Sequence, residues 1–321
     1  MDNKTFITVE IPRANRQEKP VYINNNILTG SFRRNFEGDY RCSNAEVKAM
    51  LRDQTDVSVD FTVFSEIDYT ALLSDTFRRY RIRFKNLKPT HIWNNLNDEE
   101  FILKIGAVRR VENLLQPTLA GILMFCEEAI ITSLLPQYFL DFREKESFKD
   151  LRWSDRVFSN SGDWSGNIFD FYFKVTDRVL NTIKVPFLLE GTTRIDKTPI
   201  HEAIREAIAN TLIHADYYGI RGIVIEKHPQ KIVLQNPGSL RIALAAATDG
   251  GISDPRNAAI FKMFALVGIG ERAGSGLHAI HYIWNEIGFP KPELNETFNP
   301  ERISFVLEWN NSEKGSEKMS Q

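Results

Sequence analysis

Only two of the 321 residues are cysteine, Cys42 and Cys126. They lie far apart and without metal-ligand spacing, so they supply neither a disulfide framework nor a thiolate metal site. Charge of one sign is lacking too. Forty Lys and Arg against 42 Asp and Glu leave a formal charge of −2, so no overall field draws the chain to nucleic acid. Long apolar runs are missing. The longest, residues 119–125, is far short of a membrane span, and "MDNKTFITVEIP" has no apolar segment of signal-peptide length. These absences lead to the expectation of a soluble, cytoplasmic protein with no membrane partner. Neither Gly-Lys-Ser nor Gly-Lys-Thr occurs, which excludes a Walker A loop.

What is present is ordinary globular material, 42% hydrophobic and 26% charged, with length for two domains. Residues 5–11, 19–23 and 30–35 read as strands. Residues 43–54 read as a helix, with Ser43 as N-cap, Glu46 in the capping-box position and Val47, Met50 and Leu51 on one face. Helices are expected over 68–85 and 97–105. A hairpin is expected in "GAVRRVENLLQPT" and one buried helix through "LAGILMFCEEAIITSL". Two short helices and a hairpin give a winged-helix-like layout. With the basic run "RRYRIRFKNLK" (residues 78–88), it makes DNA a candidate partner, against the plainer reading of a packing connector with solvated arginines.

Further on, 138–144 reads as a strand and 154–167 as a Ser/Gly/Asn-rich loop. A helix over 167–184 turns Ile168, Phe171, Tyr172, Val175 and Val179 inward. A strand over 185–195 follows, and Pro199 opens the next helix. The strand pair "IRGIVIEKH" and "KIVLQNPG", the helices "NAAIFKMFALVG" and "LHAIHYIWNEIG" and the strand "RISFVLEW" complete the pattern. The polar tail 311–321 is expected to be disordered.

Glu202, Glu206, Asn210 and His214 recur at steps of four and share one helix edge. Taken alone, such a stripe is what any amphipathic helix shows, and a wet surface is the simpler reading. Two later segments shift the balance. In "VLQNPGSL" a strand ends in a tight Asn-Pro-Gly turn, where Gly238 allows close backbone approach and Asn236 offers both a donor and an acceptor. In "GIGERAGSGLHAI" glycines 268, 270, 274 and 276 run into a helix, and amides in such a loop suit phosphate oxygens.

The order of these segments resembles the Bergerat ATP-binding fold of the gyrase, chaperone, histidine kinase and MutL (GHKL) superfamily. More closely, "AIREAIANTLIHADY", "NPGSL" and "DPRNAAIFKMFALVGIGERAGSGL" resemble the ATPase-like domain of bacterial RecG-like helicase-related proteins, also named transcriptional regulators. Their usual partner domain is AlbA-like, Schlafen-related, also called divergent AAA. Residues 19–54 look like its last part, and its opening segment is absent here.

The resemblance implies an α+β fold. Residues 1–57 would be the C-terminal part of a truncated AlbA-like α/β module, and 58–117 a helical, winged-helix-like connector. Residues 118–310 would form a Bergerat-type α/β sandwich, a mixed sheet covered by helices, with its motif core at 199–290. It implies ATP and Mg²⁺ as cofactors. Asn210 matches the magnesium ligand and Glu206 the carboxylate that orients or deprotonates the attacking water. Asn236 and Gly238 match the adenine turn, where most of the superfamily has Asp. Gly270, Gly274 and Gly276 match the phosphate glycines, Arg256 and Arg272 are phosphate-contact candidates, and 241–256 matches the lid with "TDGG" as hinge. For His214 a structural hydrogen bond is expected in preference to the alternative of a metal role. The function implied is an ATP-binding, nucleotide-gated transcriptional regulator with weak or no ATPase activity, and a homodimer is a candidate assembly. The alternative is a nucleic-acid-binding regulator whose Bergerat-like domain is a scaffold.

Overall fold

The structure is a computed structural model. It describes residues 9, 11–12, 14–35, 38–147, 152–183, 189–190, 193–194, 198–249, 254–270, 276–298 and 300–309. The expected first strand, the polar tail, Gly274, Arg272 and most of the segment 185–195 lie outside them.

The chain opens with α1 (Ile27–Gly30), the ribbon β1 (Phe32–Asn35) and β2 (Gly38–Arg41), and α2 (Asn44–Asp53). The capping box of α2 forms as its sequence predicts. The Ser43 hydroxyl accepts from the Glu46 amide and the Glu46 carboxylate from the Ser43 amide. Residues 19–23 make only a bridge, Tyr22 to Ser31, instead of a strand.

Next come α3 (Asp75–Leu87), α4 (Asp98–Ile105), the hairpin β3 (Val108–Val111) and β4 (Leu114–Pro117), α5 (Leu119–Phe125) and α6 (Glu128–Leu134). The helix expected over 68–85 is broken. A 3₁₀ turn, Tyr69–Leu72, precedes α3, because Leu73 is non-helical and the Ser74 side chain caps a fresh start at the Phe77 amide. The helix expected through Cys126 is likewise two. Cys126 and Glu127 are extended, and the Glu128 amide donates to Ser165 O at 2.7 Å instead of continuing a helix.

The last part holds β5 (Leu140–Glu144), β6 (Asp155–Phe158), α7 (Ile168–Thr182), β7 (Leu189–Glu190), β8 (Thr193–Arg194) and α8 (Pro199–Ile213). It continues with β9 (Ile223–His228), β10 (Lys231–Pro237), α9 (Leu244–Asp249), α10 (Ala258–Leu266), α11 (Gly276–Ile287), β11 (Glu293–Thr297) and β12 (Arg302–Glu308). A six-stranded sheet runs β11-β12-β10-β9-β5-β6, parallel only between β5 and β9. The expected loop 154–167 thus contains an edge strand, and β11 forms where no strand was expected. Both are decided by a partner strand, not by their own sequence. β7 and β8 pair with each other.

Alternation sets the buried face. Ile223 and Ile225 of β9, Ile232 and Leu234 of β10, and Ile303, Phe305 and Leu307 of β12 all point into the core. α7 and α8 pack against this layer and α11 packs on α8. The fold is therefore a mixed α+β sandwich. One apolar core joins Leu72, Phe77, Tyr80 and Phe84 to the sheet residues, and the Tyr80 hydroxyl donates to Met263 O of α10 at 2.8 Å. Each fully buried Leu or Phe contributes roughly 2–3 kcal/mol, so this core, not any single ion pair, fixes α3 to α5 against α10. Among the described residues, no helix is long and apolar enough to cross a membrane.

Candidate functional site

α8 starts cleanly: Thr198 caps it by accepting from the His201 amide, and Pro199 takes the first turn. Ile200, Ala203, Ile204, Ala207, Ile208 and Leu212 bury its inner face. On its other edge Glu202 is exposed, but the rest of the polar stripe is not. Glu206 and Asn210 are half-buried beneath the first residue of α11. Asn210 Nδ2 donates to Glu206 Oε1 at 3.3 Å. A Cβ on Gly276 would overlap Glu206 Oε1 and stand 3.0 Å from Asn210 Nδ2. The start of α11 can approach these two side chains only because residue 276 is glycine.

The end of α8 is held from outside. The Asn257 side chain donates to Ile213 O and Ala215 O, both at 2.8 Å, and the Tyr217 hydroxyl donates to Leu212 O at 2.8 Å. The Asp216 amide donates to Pro237 O at 2.9 Å, tying the helix end to the Asn-Pro-Gly turn. Asp216 and Tyr217 are therefore fixing residues.

Together these elements enclose a cleft. Its walls are Glu206, Asn210, Thr211 and His214 of α8 and its cap, Asn236 of β10, Ser239–Ile242 and Ala247 after β10, Asp254–Arg256, Gly276 and Leu277. Ala207, Leu294, Ile303 and Phe305 make its apolar floor. The enclosed part measures about 130 Å³, close to the roughly 150 Å³ that admits a benzene ring. It has room for a planar ring. Glu206 and Gly276 also border a second, wider cavity lined by Arg83, Arg205, Gly268 and Gly270.

Asn236 sits beside Ile303 in the β10–β12 register, which turns it to the helix-covered face. Its Nδ2 donates to Pro237 O at 3.2 Å, which leaves its oxygen as the acceptor for a ligand. His214 lies in the cleft wall, and among the described residues its ring makes no hydrogen bond. That departs from the expected structural bond. Burial, with Arg256 and Arg241 nearby, lowers its pKa to about 4 against the pull of Asp254, so it is neutral near pH 7.

The remaining residues singled out by sequence fall differently. Gly238 does not line the cleft. At φ +104°, its missing Cβ makes room for Arg256 Cζ (3.0 Å) and Asp216 Cβ (3.2 Å). Gly270, at φ +65°, borders the second cavity and packs near Ile213. Arg256 lines the cleft, but its donors go to Asp53, His214 O and Ser239 O. The basic run is engaged as well. Arg78 pairs with Asp75, Arg79 with Asp170 and Arg81 with Asp98, while Arg83 Nε donates to Val267 O. Beside the hairpin, α4 opens with Asp98, Glu99 and Glu100, which would repel phosphates.

Arg241 and Asp254 fall in the segment 241–256 matched to the lid without being given a role of their own, and the apolar floor was not found by sequence. Ile303 and Phe305 were legible as one face of a strand, but only the β10 register brings them under Asn236. Arg241 donates to Pro255 O at 2.9 Å and pairs with Asp254 at 3.2 Å, joining the two ends of the segment between β10 and α10.

A family model described as "Putative ATP-dependent DNA helicase recG C-terminal" matches residues 221–305, and one described as "Domain of unknown function (DUF8451)" matches residues 48–141. Among solved structures, the DIP2311 protein from Corynebacterium diphtheriae is 17% identical with a TM-score of 0.59, over 87% of this chain and 53% of that one. The chain therefore spans about half the length of that protein, and the likeness is one of fold. No curated protein matches. Residues 221–305 are thus similar to an ATPase-like family.

Proposed function

We propose that the cleft binds ATP with Mg²⁺ in the manner of the Bergerat (GHKL) fold. The observation that carries this reading is the convergence of Glu206, Asn210 and the glycine start of α11 at the mouth of a ring-sized apolar pocket. Adenine would lie over Ile303 and Phe305 with its amino group on the Asn236 oxygen. The phosphates would run along α8 toward Gly276.

The donors fit magnesium. Among the described residues, no group of three His, Cys, Asp or Glu could hold a metal ion. Mg²⁺ commonly takes only one or two protein oxygens and completes its shell with phosphates and water. Because Asn210 donates its Nδ2 to Glu206, its Oδ1 is left as such a ligand. Bound there, the ion would neutralise phosphate charge. Glu206, a turn away on the same edge, is placed to orient or deprotonate a water.

We read the chain as a nucleotide-gated regulator with slow or no turnover. A RecG-type helicase activity gains no support from it, since no Walker A sequence occurs. The DNA-binding alternative is less favoured: Arg81 and Arg83 bond within the fold, and although Arg78 and Arg79 stay 70% and 53% exposed, each faces an aspartate. Titration calorimetry with Mg-ATP tests the reading. Wild type should bind, and Asn210→Ala should lose the Mg²⁺-dependent part. Absence of heat in wild type would sink it.

A further inference from the structure

Glu206 and Gly276 are walls of two cavities at once. The second measures about 600 Å³, within the roughly 300–1,000 Å³ of small-molecule pockets. Residues of α3, α7, α8 and α11 enclose it, and Ile269, Ile280 and Ile283 give it an apolar side.

Two guanidiniums line this space. Arg83 of α3 is fixed in place: its Nε donates to Val267 O at 2.8 Å, and its Cζ lies 4.8 Å from the centre of the Phe173 ring. Both of its Nη groups are without a partner among the described residues. Arg205 of α8 is half-buried and makes no ion pair or hydrogen bond among the described residues. Burial, and the charge of Arg205 working against the pull of Tyr172, lower the pKa of Arg83. The two cations therefore stand close enough to repel each other, and a counter-ion between them would relieve both. The cavity's own carboxylates do not serve. Asp177 and Glu202 are exposed, and Glu206 accepts from Asn210.

Two hydroxyls from α7 line the same space. Thr176 is 4% exposed, and its Oγ1 is buried without a hydrogen bond. Such an orphaned group is costly unless a ligand or water completes it. Tyr172 lies one turn earlier. Burial raises its hydroxyl pKa to about 12, with Arg205, Thr176 and Arg83 opposing the rise and Glu206 adding to it. The phenol therefore keeps its proton near pH 7 and can donate.

We propose that this second cavity is a phosphate-binding site, with the phosphate held between Arg83 and Arg205 and met by the Tyr172 and Thr176 hydroxyls. A phosphate monoester carries close to two negative charges at pH 7 and three strong acceptor oxygens. A carboxylate carries one charge and two oxygens. Two guanidiniums and two hydroxyls match the phosphate in both charge and donors. The site does not depend on the nucleotide reading of the cleft. Two sources can present the group: a phosphorylated small molecule whose body lies on the isoleucines, or the tail of a nucleotide in the cleft that reaches past Gly276.

Inorganic phosphate is the probe, titrated by calorimetry into the full chain without nucleotide. Wild type should bind it. Arg205→Gln should weaken binding about tenfold and Thr176→Val about threefold, the scales of a lost charged and a lost neutral hydrogen bond. Asn210→Ala should bind it like wild type. Thr176→Val keeps the side-chain shape and removes only the hydroxyl, so it decides the matter if melting shows that Arg205→Gln does not fold. A repeat with saturating Mg-ATP separates the sources. Phosphate that still binds points to a separate phosphorylated molecule, and phosphate that is displaced points to the nucleotide's tail; either result supports the site. No phosphate binding by wild type, or binding that both Arg205→Gln and Thr176→Val retain at full strength, overturns the proposal and leaves the nucleotide reading standing. Phosphate binding without any Mg-ATP binding sinks that reading and keeps this one.

Discussion

Asn210 donates its side-chain amide to the Glu206 carboxylate across one turn of α8, at 3.3 Å, beneath the first residue of α11. That contact orders two roles on one helix edge. It fixes which Asn210 atom is left for a cation, and it holds Glu206 on the same side. Glu206→Gln keeps the size and the acceptor oxygen. Mg-ATP affinity should therefore stay within about threefold of wild type, while any phosphate release falls at least a hundredfold, the scale of a lost general base. Calorimetry and a phosphate-release assay separate the two effects.

Gly276→Ala places a methyl against Glu206 Oε1 and 3.0 Å from Asn210 Nδ2. The carboxylate is the far end of a flexible side chain and can swing away, so the fold should survive. The site should not. Mg-ATP affinity is expected to drop at least tenfold, about 1.4 kcal/mol, with a melting temperature within a few degrees of wild type. A large loss of melting temperature with unchanged affinity would contradict the close approach described here.

Asn257→Ala removes both side-chain hydrogen bonds to the buried carbonyls of Ile213 and Ala215. Leaving the buried Ala215 carbonyl short of a donor costs about 2 kcal/mol, while Ile213 O keeps the Asn257 backbone amide. That corresponds to a melting shift of roughly 3 °C for a chain of this size. Mg-ATP affinity should weaken as well, because His214 and the Asn-Pro-Gly turn lose their fixed end of α8.

Glu301 sets a pH dependence. Burial and the neighbouring Glu46 raise its pKa from 4.5 to about 7, while Arg33 and Arg256 oppose the rise and Glu296 adds to it. The folded chain therefore holds this proton more tightly than the unfolded one. Its contribution to stability is full below about pH 4.5 and is lost as pH rises through about 7. Glu301→Gln should flatten the stability profile between pH 5 and 7 and raise the melting temperature at pH 8. His214 acts in the opposite sense. Its lowered pKa favours the fold above about pH 6.5, and that contribution is lost as pH falls toward 4. Denaturant titrations at pH 4.5, 6 and 8 on each variant resolve the two.

Much of the site could be read from residue order. The stripe on α8, the Asn-Pro-Gly turn and the glycines before α11 are local signals, written in helix period and turn chemistry; of their residues Glu206, Asn210, His214, Asn236 and Gly276 line the cleft, whereas Gly238 and Gly270 do not. The second strand from 19–23 was misread because apolar residues there find only one bridging partner. The helix through Cys126 was misread because Ser165, distant in sequence, takes the amide that would have continued it.

By itself, then, the sequence determined the starts of α2, α4, α7 and α8, the alternation of β9, β10 and β12, and the residue types at the cleft. Tertiary structure alone decided what those residues face. Whether the Glu206 edge is wet depends on α11 arriving at Gly276. Whether Arg256 has a carboxylate partner depends on Asp53, 203 positions away. Whether the basic run is free depends on Asp98 and Asp170. These are pairings between distant charges and between strands. No local period encodes them, because each partner is chosen by the geometry of the packed core.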